Sequence, residues 1–138
     1  MIFQSLRISV IAATAVAALL LAVSHATAEE AVDKPLIVKI DASWCGTCTK
    51  LKPTMTELEE RVGDDARIVI LDVSDRAAVE ASAAEADRLG IRKFFDSYKG
   101  KTGTVAVIAS NGKIVQVYNG ELDTDKYLAA LAVAKKEA

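Results

Sequence analysis

Two cysteines set three residues apart carry the chemistry this chain can do. Cys45-Gly46-Thr47-Cys48 follows a short apolar run, Leu36-Ile37-Val38-Lys39-Ile40, that reads as a buried strand interrupted by one charge. After the pair, Cys48, Leu51, Met55, Leu58 and Val62 recur at steps of three and four, the spacing of one helix face. The sulfurs therefore belong to the first turn of a helix, where four N–H groups lack intrahelical partners and the helix dipole is positive. A thiolate at Cys45 is stabilised there, and its pKa is expected below the roughly 8.5 of a free cysteine. Thiolate is the attacking species in disulfide exchange, and Cys48, one turn on, is spaced to resolve a mixed disulfide.

The same spacing has blander readings. A C-x-x-C is half of a zinc site, but the only histidine, His25, lies in a segment expected to be removed, and there is no third cysteine. A zinc site shared between molecules stays open on that ligand count. A structural disulfide also stays open, although closing so short a loop gains little chain entropy.

The elements that must position the pair follow from pattern. Pro53 falls inside the first helix, where it removes a hydrogen bond and is expected to kink it, and Gly63 ends it. A second strand reads over residues 67–73, then an alanine-rich helix capped by Ser74 or Asp75 and stopped by Gly90. Residues 91–103 read as a loop with a short helical turn. Residues 104–109 and 113–118 are two β-rich runs joined across Asn111-Gly112, a strong hairpin signal. Asp123 or Thr124 then caps a helix with Tyr127, Leu128, Leu131 and Ala134 on one face. The predicted order is β-α-β-α-β-β-α, an α/β domain with a mixed central sheet flanked by helices.

Residues 1–28 carry one charge, Arg7, then an apolar stretch and Ala26-Thr27-Ala28, a small-x-small exit followed by Glu29-Glu30. This is the pattern of a signal peptide cleaved after Ala28; the alternative is an uncleaved membrane anchor, for which the apolar core is short. The remaining domain, residues 29–138, has 16 basic and 19 acidic residues. That is one domain's length, with no basic stripe pointing to nucleic acid. Loss of His25 removes imidazole bases and most transition-metal sites. In an oxidising compartment the two cysteines are expected to work as a pair.

Trp44-Cys45-Gly46-Thr47-Cys48, followed by Lys50 and by Pro53 within the helix, resembles the thioredoxin signature W-C-G-P-C-K with its helix proline. Leu89-Gly90-Ile91-Arg92, the Asn111-Gly112 hairpin and Gly120 before the last helix are similar in type and order. The likeness covers residues 36–133, with too little chain before Leu36 for a full thioredoxin's first strand and helix. It implies a thioredoxin-like fold and a thiol–disulfide oxidoreductase, with Cys45 the exposed nucleophile and Cys48 the buried resolving thiol. Trp44, Gly46 and Thr47 would then border the substrate surface. By the same likeness the substrates are protein thiols and disulfides and a membrane-bound redox partner resets the pair; cleavage near Ala28 would leave a periplasmic or secreted protein, expected to be a monomer. No cofactor is implied, because the electrons reside in the cysteines. A non-catalytic binding module on the same fold and a chaperone for a soft metal ion such as Cu(I) are the alternatives.

Three departures from the family pattern mark this chain. Lys39 stands where thioredoxins bury an aspartate; a cation there favours thiolate and makes the disulfide more oxidising, a neutral lysine would serve as a base, or the stem packs in the sheet while the ammonium reaches water or Asp41. Gly103, followed by Thr104, stands where the family has a cis-proline facing the cysteines, leaving backbone that a substrate strand can approach. Residues 93–102 read as an insertion, whose Phe94, Phe95 and Tyr98 either form a partner-binding lip or anchor the loop to the core. Lys50 and Lys52 either add positive potential near the sulfurs or sit on a solvated helix face.

Overall fold

The computed structural model describes residues 32–137. The expected leader, residues 1–28, lies outside them. Four strands form one sheet in the order β2-β1-β3-β4. Strand β1 (Leu36–Asp41) pairs in parallel with β2 (Arg67–Asp72) and antiparallel with β3 (Thr104–Ile108), which pairs antiparallel with β4 (Ile114–Asn119). Helix α1 (Gly46–Val62) is the crossover that joins the parallel strands β1 and β2. Helices α2 (Arg76–Arg88), α3 (Arg92–Tyr98) and α4 (Thr124–Ala134) complete the domain.

Burial explains why β1, apart from Lys39, and β3 read as largely apolar runs: both are central and covered on each face. Leu36, Val38 and Ile40 join Val69, Leu71, Phe94, Phe95 and the cysteines in one cluster. Ile37 faces the other way, into a cluster of Leu51, Met55, Leu58, Val105, Val107, Tyr127 and Leu131. The edge strands β2 and β4 are only partly buried, as their alternating residues predict.

The predicted elements are present, together with a 3-10 turn at Gly63–Asp65 that follows α1. The turn expected within residues 91–103 is a two-turn helix, α3, whose Phe94 and Phe95 are buried and whose Tyr98 stacks on Phe94. These aromatics therefore anchor the segment to the core, and the exposed-lip reading of Phe94 and Phe95 is set aside. Asp75 caps α2, accepting from the Ala78 N–H at 2.8 Å, and Asp123 caps α4. Gly112 turns the hairpin at φ +84°, a conformation costly for a side chain.

Candidate active site

The chain leaves β1 at Asp41 and reaches Cys45 in four residues, so the first turn of α1 stands over the carboxyl end of the central strand. Cys45 is the N-cap of α1, in extended backbone, and its sulfur accepts the Cys48 N–H at 3.1 Å. That bond occupies the position a serine or aspartate oxygen takes at an ordinary helix start. Cys45 and Cys48 are joined as a disulfide, with Cα atoms 5.2 Å apart. The exposure expected of Cys45 is not observed: it is 6% exposed against 2% for Cys48, so the two differ little. The cause is packing, since both sulfurs belong to the cluster beneath α2 and α3. Cys48 Sγ lies 3.8 Å from the Ile40 carbonyl oxygen at the strand end.

Lys39 is buried, 4% exposed, and its ammonium has two partners. It forms an ion pair with Asp41 at 2.8 Å and donates to the Cys48 carbonyl at 3.4 Å. The cation and packing readings of Lys39 are thus compatible with one geometry: the stem packs in the sheet, the head reaches Asp41, and the cation lies beneath the first turn that carries the disulfide. Asp41 is the more solvated partner, its side chain 30% exposed.

Gly103 adopts φ +81° with its N–H donated to the Ile40 carbonyl at 2.9 Å and its own carbonyl accepting from the Gly120 N–H at 3.0 Å. Both backbone groups therefore have partners within the fold, and the carbonyl keeps a second lone pair. Among the described residues there is no cis peptide bond. A Cβ on Gly103 would stand 2.7 Å from the Thr47 methyl, and one on Gly120 would stand 3.1 Å from it. Thr47 therefore fills a notch formed by two glycines, which couples the dipeptide between the cysteines to the β3 and β4 ends. Gly103→Ala is expected to destabilise the protein by about 2 kcal/mol, combining the left-handed backbone cost with the clash. Chemical denaturation checks it, and adding Thr47→Ala should recover the steric part but leave the backbone part.

The remaining expected residues spread outward. Gly46 is exposed with open space around its Cα, and Trp44 is 66% exposed at the rim. Thr104 is buried and turned toward β4, where its hydroxyl accepts from the Asn119 amide at 3.2 Å. Lys50 and Lys52 are exposed on α1. Sequence reasoning missed the device that holds the Trp44 loop. Ser74 accepts the Trp44 indole N–H on its carbonyl at 3.0 Å and the Ser43 N–H on its hydroxyl at 2.7 Å. The same hydroxyl donates to Asp72, whose carboxyl is held below the usual carboxylate range by the Ser74 hydroxyl and N–H. The one available signal was Asp72-Val73-Ser74 at a strand end, a common turn pattern with no pointer to residues 30 positions away.

A mixed sheet that presents a helix-start disulfide at the end of its central strand is the arrangement of the thioredoxin fold. Solved structures share the fold: an exposed lipoprotein thioredoxin from Streptococcus pneumoniae matches at TM-score 0.53 and 23% identity over 75% of this chain and 87% of that one. A thiol:disulfide interchange protein from Chlorobium tepidum matches at TM-score 0.50 and 19% identity over 74% and 80%. The chain belongs to the thioredoxin family, whose model matches residues 20–96. Chloroplastic thioredoxin Y of Oryza sativa subsp. japonica is 27% identical over 110 residues, 77% of this chain and 56% of that protein. A protein disulfide-isomerase of Datisca glomerata is 32% identical over 90 residues, 65% of this chain and 16% of that protein. The chain thus spans about half of the first relative and about a sixth of the second.

Among the described residues no helix is long and apolar enough to cross a membrane. Nor, among them, is there a cluster of three or more His, Cys, Asp or Glu placed to hold a metal ion.

Proposed function

We propose that this chain is an exported thiol–disulfide oxidoreductase that exchanges disulfides with protein thiols, with Cys45 as nucleophile and Cys48 as resolving thiol. The observation that carries the reading is the Cys45–Cys48 disulfide at a helix start, with the Cys48 N–H directed at the Cys45 sulfur. A hydrogen bond to the charged form of a group lowers its pKa, so after reduction Cys45 is the thiolate of the pair.

The steps balance without a cofactor. The Cys45 thiolate attacks one sulfur of a substrate disulfide; that S–S bond breaks and the other substrate sulfur leaves as thiolate. Cys48 loses its proton and attacks the Cys45 sulfur of the mixed disulfide. The second substrate thiolate departs, and the Cys45–Cys48 bond closes. Two electrons pass from the pair to the substrate, and the substrate thiolates take up protons from solvent. Run in reverse, the same steps donate a disulfide.

Lys39 sets the balance between the two directions. A buried cation under the first turn favours the thiolate, which stabilises the reduced form and makes the disulfide more oxidising than a neutral residue would. Trp44, Gly46 and Thr47 supply the surface a substrate segment meets, while Gly103 and Thr104 hold the floor beneath Thr47.

Residues 1–28 act as the leader, cleaved after Ala28, so residues 29–138 work as a monomer in the periplasm or an equivalent space. There a membrane-bound redox partner resets the pair. The charge and apolar pattern of residues 1–28 supports export. Incubating the reduced protein with a disulfide-bonded protein tests the activity. Two substrate thiols should appear for each Cys45–Cys48 bond that closes; a pair that closes without releasing substrate thiols contradicts it.

A further inference from the structure

One cavity at the α3–β3 loop has no place in the exchange steps. It measures about 550 Å³ and lies between the α3–β3 loop and β4, lined by Tyr98, Lys101, Thr102, Thr104, Tyr118 and Asn119 among others. It is joined to the active site through shared residues. The Asn119 amide donates to the Thr102 carbonyl and to the Thr104 hydroxyl, both at 3.2 Å, and these flank Gly103, which packs against Thr47. A polypeptide crossing Thr47 toward Gly103 therefore reaches the mouth of the cavity within a residue or two.

Its chemistry is one-sided. No lining residue is acidic, although acidic residues outnumber basic ones in the chain, 19 to 17. Lys99, the other cation of the α3–β3 loop, is paired with Asp96. Lys101 differs. Its ammonium stands 5.4 Å from the centre of the Tyr98 ring, and among the described residues it has no carboxylate partner. The Tyr98 hydroxyl likewise has no hydrogen-bond partner among them.

We propose that this cavity is a specificity subsite that receives an acidic side chain of the substrate polypeptide, with Lys101 as the charge that selects it. The inference rests on the oxidoreductase reading and deepens it by naming the substrate class. A glutamate or aspartate close to the reacting cysteine places its carboxylate against the Lys101 ammonium and within reach of the Tyr98 hydroxyl. The pair forms at a partly solvated rim, so it steers and selects more than it binds.

Two synthetic disulfide-linked peptides, identical except for glutamates or lysines beside one cysteine, provide the test. The reduced protein should exchange with the glutamate peptide about three- to fivefold faster at low salt, as a rim ion pair implies. High salt should erase the preference. In Lys101→Glu the ratio of the two rates should invert, and in Lys101→Ala it should approach one. Because each ratio is taken within one variant, a change in cysteine reactivity or stability cancels. Equal rates for the two peptides, or a ratio untouched by Lys101→Glu, overturn the subsite alone. No exchange with either peptide overturns the oxidoreductase reading beneath it.

Discussion

Cys48→Ser is expected to leave the protein covalently joined to its substrate through Cys45. In the native pair the resolving sulfur sits one helical turn from the sulfur it must attack, with the Cα atoms 5.2 Å apart. Such preorganisation gives an intramolecular attack an effective concentration far above any external thiol. Serine offers no comparable nucleophile, so release of the mixed disulfide should slow by about a thousandfold or more even in millimolar external thiol. Mass spectrometry after non-reducing separation would show a long-lived adduct mapped to Cys45. The counterpart, Cys45→Ser, should give no adduct at all. Adducts accumulating on Cys48 in Cys45→Ser, with none in Cys48→Ser, would reverse the assignment of roles. That control matters because burial alone separates the two cysteines poorly.

The second large effect comes from the buried pair of Lys39 and Asp41, and it is asymmetric. Asp41→Asn leaves the Lys39 ammonium buried with only the Cys48 carbonyl, at 3.4 Å, as a partner. Removing one member of a buried pair costs about 3 kcal/mol or more because the other charge is stranded. Lys39→Met, of similar length, strands only Asp41, which is 30% exposed and can be solvated. Its stability should change by about 1 kcal/mol or less. Denaturant midpoints compare the two. Redox behaviour should run the other way. Lys39→Met removes the cation beneath the disulfide, raising the Cys45 thiol pKa in the reduced protein. The potential of the pair should then become more negative by about 30 mV. An unchanged thiolate titration in Lys39→Met would confine Lys39 to a packing role.

Much of this was legible in the chain, for reasons that differ by residue. The strand before the cysteines, the helix after them and the hairpin at Asn111-Gly112 are local patterns, written in short-range spacing that a sequence displays directly. Helix α3 was harder. Residues 92–98 present two adjacent phenylalanines without a side-chain cap, and only burial of both against the core gives the segment its place. The cysteine pair was legible because three residues suffice to define it. Its surroundings were not, because they are assembled from distant positions. Ser74 ties down a tryptophan 30 residues earlier, and Gly103 and Gly120 together make room for the Thr47 methyl. Gly103 itself could be aligned with the family's proline position, but the destination of its N–H and carbonyl depends on Ile40 and Gly120. The burial of Cys45 is likewise a property of the packed layers and not of the motif.

The central claim is that Cys45 and Cys48 are a working redox couple, and an equilibrium titration of the purified protein against glutathione and dithiothreitol tests it most directly. The account predicts a reversible two-electron transition above the roughly −270 mV of thioredoxin, toward but not beyond the roughly −120 mV of a strong periplasmic disulfide oxidant. A pair that stays oxidised to potentials below about −300 mV, the range of structural disulfides, would contradict it.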